Sequence, residues 1–166
     1  MSVAKGDTIE SDLLPQAASL VAASAALTTT DTVLLSLAIP ANTLLAGTTY
    51  RLRVLGGLAG AGTPTFRVRF GPAGTTTDAL VASVAPAGTG AGGAGCEFYV
   101  TFRTLGAAGT AIANGFGYAN TLASTPTNQA TATTVSTTVA GFLSLTASVS
   151  ASTFTAYQAS IELLRL

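Results

Sequence analysis

Few side chains in this 166-residue chain could do chemistry, and they are widely spaced. The chain contains no histidine, so it lacks the most usual general base and the commonest metal ligand. Glu97 and Glu162 could form the carboxyl pair of a glycoside hydrolase if their strands were neighbours. A carboxylate that alternates with apolar residues is more often the solvated side of a strand, so we expect no enzyme. The seven carboxylates are Asp7, Glu10, Asp12, Asp31, Asp78, Glu97 and Glu162.

Cofactor and metal chemistry are also weakly represented. Cys96 is the single cysteine, and without a histidine to activate it we expect a small buried hydrophobe. The glycine-rich stretches GAGTPT and GTGAGGAG lack the lysine of a phosphate-binding loop, so we interpret them as turns. The acidic stretch DTIESD has neither the spacing nor the central glycine of a calcium loop. We therefore expect no metal and no cofactor.

Arginine gives the strongest pattern in the chain. Four of the six arginines alternate with apolar residues in two segments, YRLRVL and TFRVRFG, which resemble neighbouring strands. If these strands pair, the four guanidinium groups share one outer face, where like charges destabilise the sheet. Either Glu97 and Glu162 neutralise them within the fold, or the face belongs to a subunit interface, where arginine is favoured. This predicted face comprises Arg51, Arg53, Arg67, Arg69 and Glu97.

Strand patterns separated by turn residues occupy most of the chain. In the segment CEFYVTFRTL the residues Cys96, Phe98, Val100 and Phe102 fall on one face, which we expect to point into the core. Asn42 and Gly47 mark a compact loop after the strand TVLLSLAI. About eight strands with turns between them predict an all-β fold, a single antiparallel β-sandwich of jelly-roll type. They lie at residues 33–39, 50–55, 66–70, 79–85, 96–105, 110–120, 138–150 and 154–166.

The first sixteen residues differ from the rest. Residues 1–16 hold three of the seven acids and the only lysine, without a period-two pattern, so we predict an N-terminal arm before a β-sandwich domain at 17–166. Residues 17–27 are alanine-rich and could form a short helix or a first strand, and the context slightly favours the strand. This apolar run is too short for a membrane span, and no secretory signal is recognisable. We therefore expect synthesis in the cytoplasm.

The composition points towards assembly. Charged residues make up 8% of the chain, seven basic against seven acidic, and the mean hydropathy is +0.54. A chain without net charge has no electrostatic attraction for nucleic acid or an anionic membrane, so we expect neither partner. A nearly neutral, apolar surface favours association. We expect part of this surface to be buried in a permanent assembly.

The stretch LLSLAIPANTLLAGTTYRLRVLGGLAGAGTPTFRVRFG, residues 34–71, resembles small virion structural proteins of tailed bacteriophages and prophages. The similarity lies in the IPANTL turn, the following AG, two arginine-bearing strands and the GTPT turn between them, and it continues more loosely to Leu166. The resemblance implies a jelly-roll domain that assembles as a homotrimer on the particle. It also implies a role as a capsid decoration or cement protein, or alternatively as a fibre or tail-tip module that binds a host receptor carbohydrate.

The predicted loops consist mainly of glycine, alanine, threonine and serine, whereas a receptor-binding tip commonly displays aromatic and charged loop residues. The loop composition therefore favours the decoration protein. The resemblance then implies three partners: two further copies of the chain and the major capsid protein, on a virion made in the host cytoplasm. A sugar-binding module and a carbohydrate-active enzyme are weaker alternatives. We expect the N-terminal arm to contact the capsid, with apolar residues for burial and acids that select a basic surface. The candidate contact residues are Asp7, Ile9, Glu10, Asp12, Leu13 and Leu14.

Overall fold

Antiparallel β-strands form the framework of the chain in a computed structural model that describes residues 17–86, 90–120, 125–128 and 132–165. These ranges contain eleven strands and no helix. The eight predicted strands are all present, so the all-β prediction is confirmed. The strands are β1 (Ala17–Ser19), β2 (Thr32–Ile39), β3 (Thr49–Leu58), β4 (Pro64–Gly71), β5 (Ala79–Val84), β6 (Gly92–Thr104), β7 (Gly109–Ala119), β8 (Thr125–Asn128), β9 (Thr133–Val135), β10 (Gly141–Val149) and β11 (Phe154–Arg165).

The strands are arranged in two sheets. The seven-stranded sheet has the order β1-β11-β3-β6-β7-β8, and β9 pairs with a further part of β7. The four-stranded sheet has the order β2-β10-β4-β5. Every pairing in the two sheets is antiparallel. Two antiparallel sheets are the arrangement that the turn-separated strand pattern predicted.

The two sheets pack face to face through a core in which aromatic rings interlock. Phe98 and Phe102 on β6 are fully buried, which confirms the predicted inward face of that strand. Edge-to-face ring pairs join the sheets: Phe70 and Phe102 lie 5.0 Å apart, and Phe66 and Phe154 lie 5.3 Å apart. Such geometry contributes beyond the area that it buries.

Two boundaries differ from the prediction. Residues 92–95, interpreted from sequence as part of a loop, begin β6 and pair with both β3 and β7. The polar tract at residues 124–138, interpreted as a connection, contains β8 and β9. Both errors have one cause: backbone pairing at glycine-rich or polar residues requires no alternation of apolar side chains, so the sequence pattern misses it.

The alanine-rich residues 17–27 are extended rather than helical. This agrees with the strand, which the sequence slightly favoured over a helix. Only β1 is a regular strand, paired with β11. The chain then follows β11 with single contacts: the amide of Leu20 donates to the Ala159 carbonyl (2.9 Å), and Leu27 forms an isolated bridge with Phe154. This segment therefore covers the edge of the seven-stranded sheet along much of its length.

Three loops meet at one end of the sandwich, and we call this the loop end. It comprises residues 40–48, 105–108 and 136–140. The Asn42 amide donates to the Thr137 carbonyl (3.0 Å), and the Thr137 amide donates to the Gly106 carbonyl (3.0 Å). Asn42 and Gly47 both have positive φ, 59° and 96°, which confirms their prediction as turn residues. These bonds hold the three loops together as one surface.

Candidate interaction surfaces

The two arginine-bearing strands do not pair, so the prediction of a single arginine face is wrong. β3 lies between β11 and β6 in the seven-stranded sheet, whereas β4 lies between β10 and β5 in the four-stranded sheet. The connection at residues 59–63 carries the chain from one sheet to the other instead of closing a hairpin. Because the core lies between the sheets, Arg51 and Arg53 are on one outer face of the molecule, and Arg67 and Arg69 are on the opposite one.

On the four-stranded sheet, two arginines share one carboxylate. Arg67 Nη1 lies 3.1 Å from Asp31 Oδ1, and Arg69 Nη2 lies 3.0 Å from Asp31 Oδ2. Further bonds fix both guanidinium groups: Arg67 Nη1 donates to Ser148 Oγ (3.1 Å), and Arg69 Nη1 donates to the Asp78 carbonyl (3.0 Å). Sequence reasoning missed Asp31, because a lone acid just before a strand carries no signal of its partners.

This arginine cluster covers β10, one of the two inner strands of the sheet. Ser144 and Thr146 point outward from β10, yet both are fully buried. Their register partners on β4 are Arg69 and Arg67, whose side chains lie above them on the way to Asp31. The four-stranded face is therefore closed by its own ion pairs, and the repulsion between Arg67 and Arg69 is offset inside the fold.

On the seven-stranded sheet, Arg51 pairs with Glu162, one of the two acids that the sequence offers as partners within the fold. Its Nη2 lies 2.5 Å from Glu162 Oε2, and Ser160 Oγ donates to Glu162 Oε1 (2.9 Å). The hydrogen bond from Arg51 lowers the pKa of Glu162 below its ordinary value and raises the pKa of the guanidinium. Glu97, the other predicted partner, makes no ion pair among the described residues and accepts from the Tyr99 hydroxyl (2.5 Å). This hydrogen bond raises the pKa of Tyr99.

The lowered pKa of Glu162 predicts a pH effect. The carboxyl group of Glu162 binds its proton less tightly in the folded protein than in the unfolded chain. The ionised group therefore stabilises the fold at pH values above its ordinary pKa of 4.5. That contribution is lost as pH falls through the lower folded pKa. We expect the difference in unfolding free energy between wild type and Glu162→Gln to shrink from pH 6 to pH 3 in urea titrations. It should also shrink in high salt, because both groups are partly exposed. A constant difference would refute the linkage.

The condition under which Glu97 and Glu162 could form a catalytic pair, that their strands be neighbours, is not met. Their strands, β6 and β11, are not neighbours, because β3 lies between them. Two strand spacings separate the residues by roughly 10 Å across the sheet, and Glu162 is already engaged by Arg51. The premise that their strands adjoin is therefore wrong.

Arg53 is the one arginine of the predicted face that makes no hydrogen bond or ion pair in the described part of the chain. It is exposed in the middle of β3, directly between Ser160 of β11 and Glu97 of β6. Its side chain borders a shallow depression of about 290 Å³ on the outer face of the seven-stranded sheet. The depression is lined by Ser19, Leu20, Arg53, Leu55, Gln158, Ala159 and Ser160.

The loop end exposes large apolar side chains. Leu45, Leu105 and Val139 are 41%, 41% and 49% exposed, one on each of its three loops. None of these loops contains a charged residue. Arg103 and Arg165 lie on the strands just beside them. The loop end is therefore an uncharged surface that exposes three large apolar side chains and has basic residues at its margin.

Cys96 is buried, as predicted, and burial raises the pKa of its thiol well above the usual value. Within the described ranges there is no cluster of three or more His, Cys, Asp or Glu side chains suited to a metal ion, and no helix that could span a membrane. The predicted capsid-contact residues Asp7, Ile9, Glu10, Asp12, Leu13 and Leu14 lie outside the described residues.

No protein-family model, curated protein or solved structure matches this chain.

Proposed function

We propose that this chain is a non-enzymatic structural protein of a bacteriophage virion, a homotrimeric decoration or cement protein that binds the outer capsid surface and stabilises the shell. The observation that carries the proposal is the loop end, where Leu45, Leu105 and Val139 are exposed on loops that contain no charge. The three loops are joined by backbone hydrogen bonds, and exposed apolar side chains gathered in this way are typical of a protein interaction site. The resemblance of residues 34–71 to virion structural proteins supplies the setting.

The strand order supports a jelly roll. When β7, β8 and β9 are set aside, the two sheets read β1-β11-β3-β6 and β2-β10-β4-β5. Numbered along the chain as eight strands, these orders become 1-8-3-6 and 2-7-4-5, the arrangement of two interlocked Greek keys in a jelly roll. The three remaining strands then form an insertion between the sixth and seventh strands, which widens one sheet.

The proposed partners at the loop end are two further copies of this chain. Three copies around a closed three-fold axis would bring identical surfaces near one another. Identical charged surfaces would repel, whereas loops without charge, bearing Leu45, Leu105 and Val139, would not. The flanking Arg103 and Arg165 would stay at the solvated rim, as charged residues do in protein interfaces.

Placing a charge in the loop end tests this assembly. We expect Leu105→Asp to shift the protein from trimer to monomer, because an unpaired carboxylate would be buried between subunits. The matched control is Val21→Asp, the same kind of change at a side chain that is 97% exposed on the segment following β1. Light scattering behind a sizing column would report the mass of each variant. A Leu105→Asp protein that stays trimeric, or an equal effect of both substitutions, would contradict the proposed interface.

The N-terminal arm is the proposed capsid-binding element. Sixteen extended residues can reach roughly 50 Å, enough to cross onto a neighbouring capsomer. Burial of Ile9, Leu13 and Leu14 would offset the entropy of ordering, and Asp7, Glu10 and Asp12 would select a basic surface of the major capsid protein.

Deleting residues 2–14 tests the arm separately from the trimer. We expect a folded trimer that no longer binds undecorated capsids in co-sedimentation. Full-affinity decoration by the truncated protein would rule out the arm as the binding element. If residues 1–16 have no role in binding, the truncated protein should decorate capsids with full affinity.

One observation favours the second candidate, a fibre or tail-tip module that binds a host carbohydrate. The depression beside Arg53 offers polar and apolar side chains together on an open sheet face. Both candidate functions share the virion setting and the trimer. They differ in the partner that the assembled protein contacts, the major capsid protein or a carbohydrate of the host.

A further inference from the structure

We infer that the depression beside Arg53 binds an acidic sugar unit, a pyranose that carries a carboxylate. Two rows of outward side chains define it. Ser19, Ser160 and Arg53 are register partners across β1, β11 and β3. Gln158 and Leu55 are register partners in the next row. Residues of three strands thus converge on one depression, and the rigid sheet fixes their spacing.

A free guanidinium is the first requirement for a carboxylate ligand. Arg51, Arg67 and Arg69 each lie in an ion pair, whereas Arg53 makes no hydrogen bond or ion pair with the described residues. Two acids lie near Arg53: Glu97 accepts from the Tyr99 hydroxyl, and Glu162 accepts from Arg51. The pKa of Glu162 is lowered chiefly by that hydrogen bond from Arg51 and also by the charge of Arg53, so Arg53 has a charged neighbour but no direct bond to it. Arg53 is the only charged residue that lines the depression, and its planar fork can bind a carboxylate with two parallel hydrogen bonds.

The other lining groups suit the rest of a sugar ring. The side chains of Ser19 and Gln158 make no hydrogen bonds within the described part of the chain, so both can bond to ring hydroxyls. Leu20 and Leu55 supply an apolar surface for the carbon-bound hydrogens. The volume of about 290 Å³ lies at the lower limit of small-molecule pockets, which suits one sugar unit rather than a large ligand.

The wall beside Leu55 is also set by the fold. A Cβ at Gly95 would come within 3.1 Å of the Tyr118 hydroxyl and 3.2 Å of Leu55 Cδ2, so both side chains lie over this glycine. The Tyr118 hydroxyl is neutral and able to donate at neutral pH, and burial raises its pKa further. Tyr118 therefore lies next to Leu55, just outside the residues that line the depression.

The test is a titration of the full-length, isotope-labelled protein by NMR with three probes: D-glucuronate, D-glucose and acetate. We expect saturable shifts at Arg53, Gln158 and Ser160 with glucuronate, with a Kd on the order of 1 mM, and much weaker binding of the other two. Arg53→Gln should weaken glucuronate binding about tenfold or more, since it removes the charge-assisted bonds. Arg103→Gln, at another exposed arginine on the same sheet, is the matched control and should bind as the wild type does.

Three outcomes would overturn the inference. The first is the absence of saturable glucuronate binding by the folded wild-type protein. The second is equal binding by Arg53→Gln and Arg103→Gln. The third is acetate binding as tight as glucuronate binding, which would mean a simple anion site without sugar recognition. The inference does not depend on the capsid role. A protein that does not bind glucuronate could still form the trimer and bind capsids through the N-terminal arm, and the experiments above test these two proposals separately.

Discussion

Replacing Phe102 by alanine is expected to lower the free energy of unfolding by about 3 to 5 kcal/mol, because the ring fills the centre of the core. The ring is fully buried on β6 and contacts two other rings edge to face, Tyr50 within its own sheet (6.5 Å) and Phe70 in the opposite sheet (5.0 Å). Its removal leaves a cavity between two rigid sheets that cannot easily collapse. Phe98, equally buried on the same strand, should behave similarly.

Phe116→Ala is the matched control for this prediction. Phe116 lies on the neighbouring strand β7 but points outward and is 40% exposed, so its removal should cost about 1 kcal/mol or less. Chemical denaturation of the wild type, Phe102→Ala and Phe116→Ala would measure the two losses of unfolding free energy. A loss below about 1 kcal/mol for Phe102→Ala would mean that β6 faces the other way, as a register shift of one residue would produce.

Replacing Asp31 by alanine should have the second largest effect, a loss of about 2 kcal/mol. Removing one partner of a fully buried ion pair typically costs about 3 to 5 kcal/mol, and the partial exposure of this cluster reduces that figure. The cost arises because Arg67 and Arg69 would lose their shared carboxylate and face each other as unpaired like charges. Ser144 and Thr146 lie beneath them, so the loosened side chains would also admit water to β10.

A double-mutant cycle separates this electrostatic effect from simple loss of contact. In an Arg67→Met, Arg69→Met background, Asp31→Ala should cost far less, because no cation is left unpaired. Urea unfolding of the four proteins measures the coupling. If Asp31→Ala costs the same in both backgrounds, Asp31 does not act by neutralising the arginines.

The sequence predicted which way each arginine points but not which sheet holds it. Alternation along a strand assigns a side chain to the core or to the outside, and Arg51 and Arg67 both point outward as expected. Alternation carries no information on whether two consecutive strands form a hairpin or lie in opposite sheets. The connection at residues 59–63 is compatible with both, so the pattern alone cannot distinguish one arginine face from two.

The candidate surfaces were harder to predict because they depend on distant residues. Asp31 reaches Arg67 and Arg69 only once β10 has been placed between β2 and β4. The uncharged loops were evident from the sequence, yet their meeting at the loop end depends on the bonds of Thr137 to Asn42 and Gly106. Likewise, Ser19 and Arg53 join one depression only through β11, which comes from the opposite end of the chain.

Sedimentation of the wild-type protein at tens of micromolar tests the central claim, permanent assembly as a trimer, most directly. The account predicts a single species with about three times the 16.3 kDa mass of the chain, and no dissociation on moderate dilution. A monodisperse monomer in solution that also stays monomeric on purified particles would contradict it.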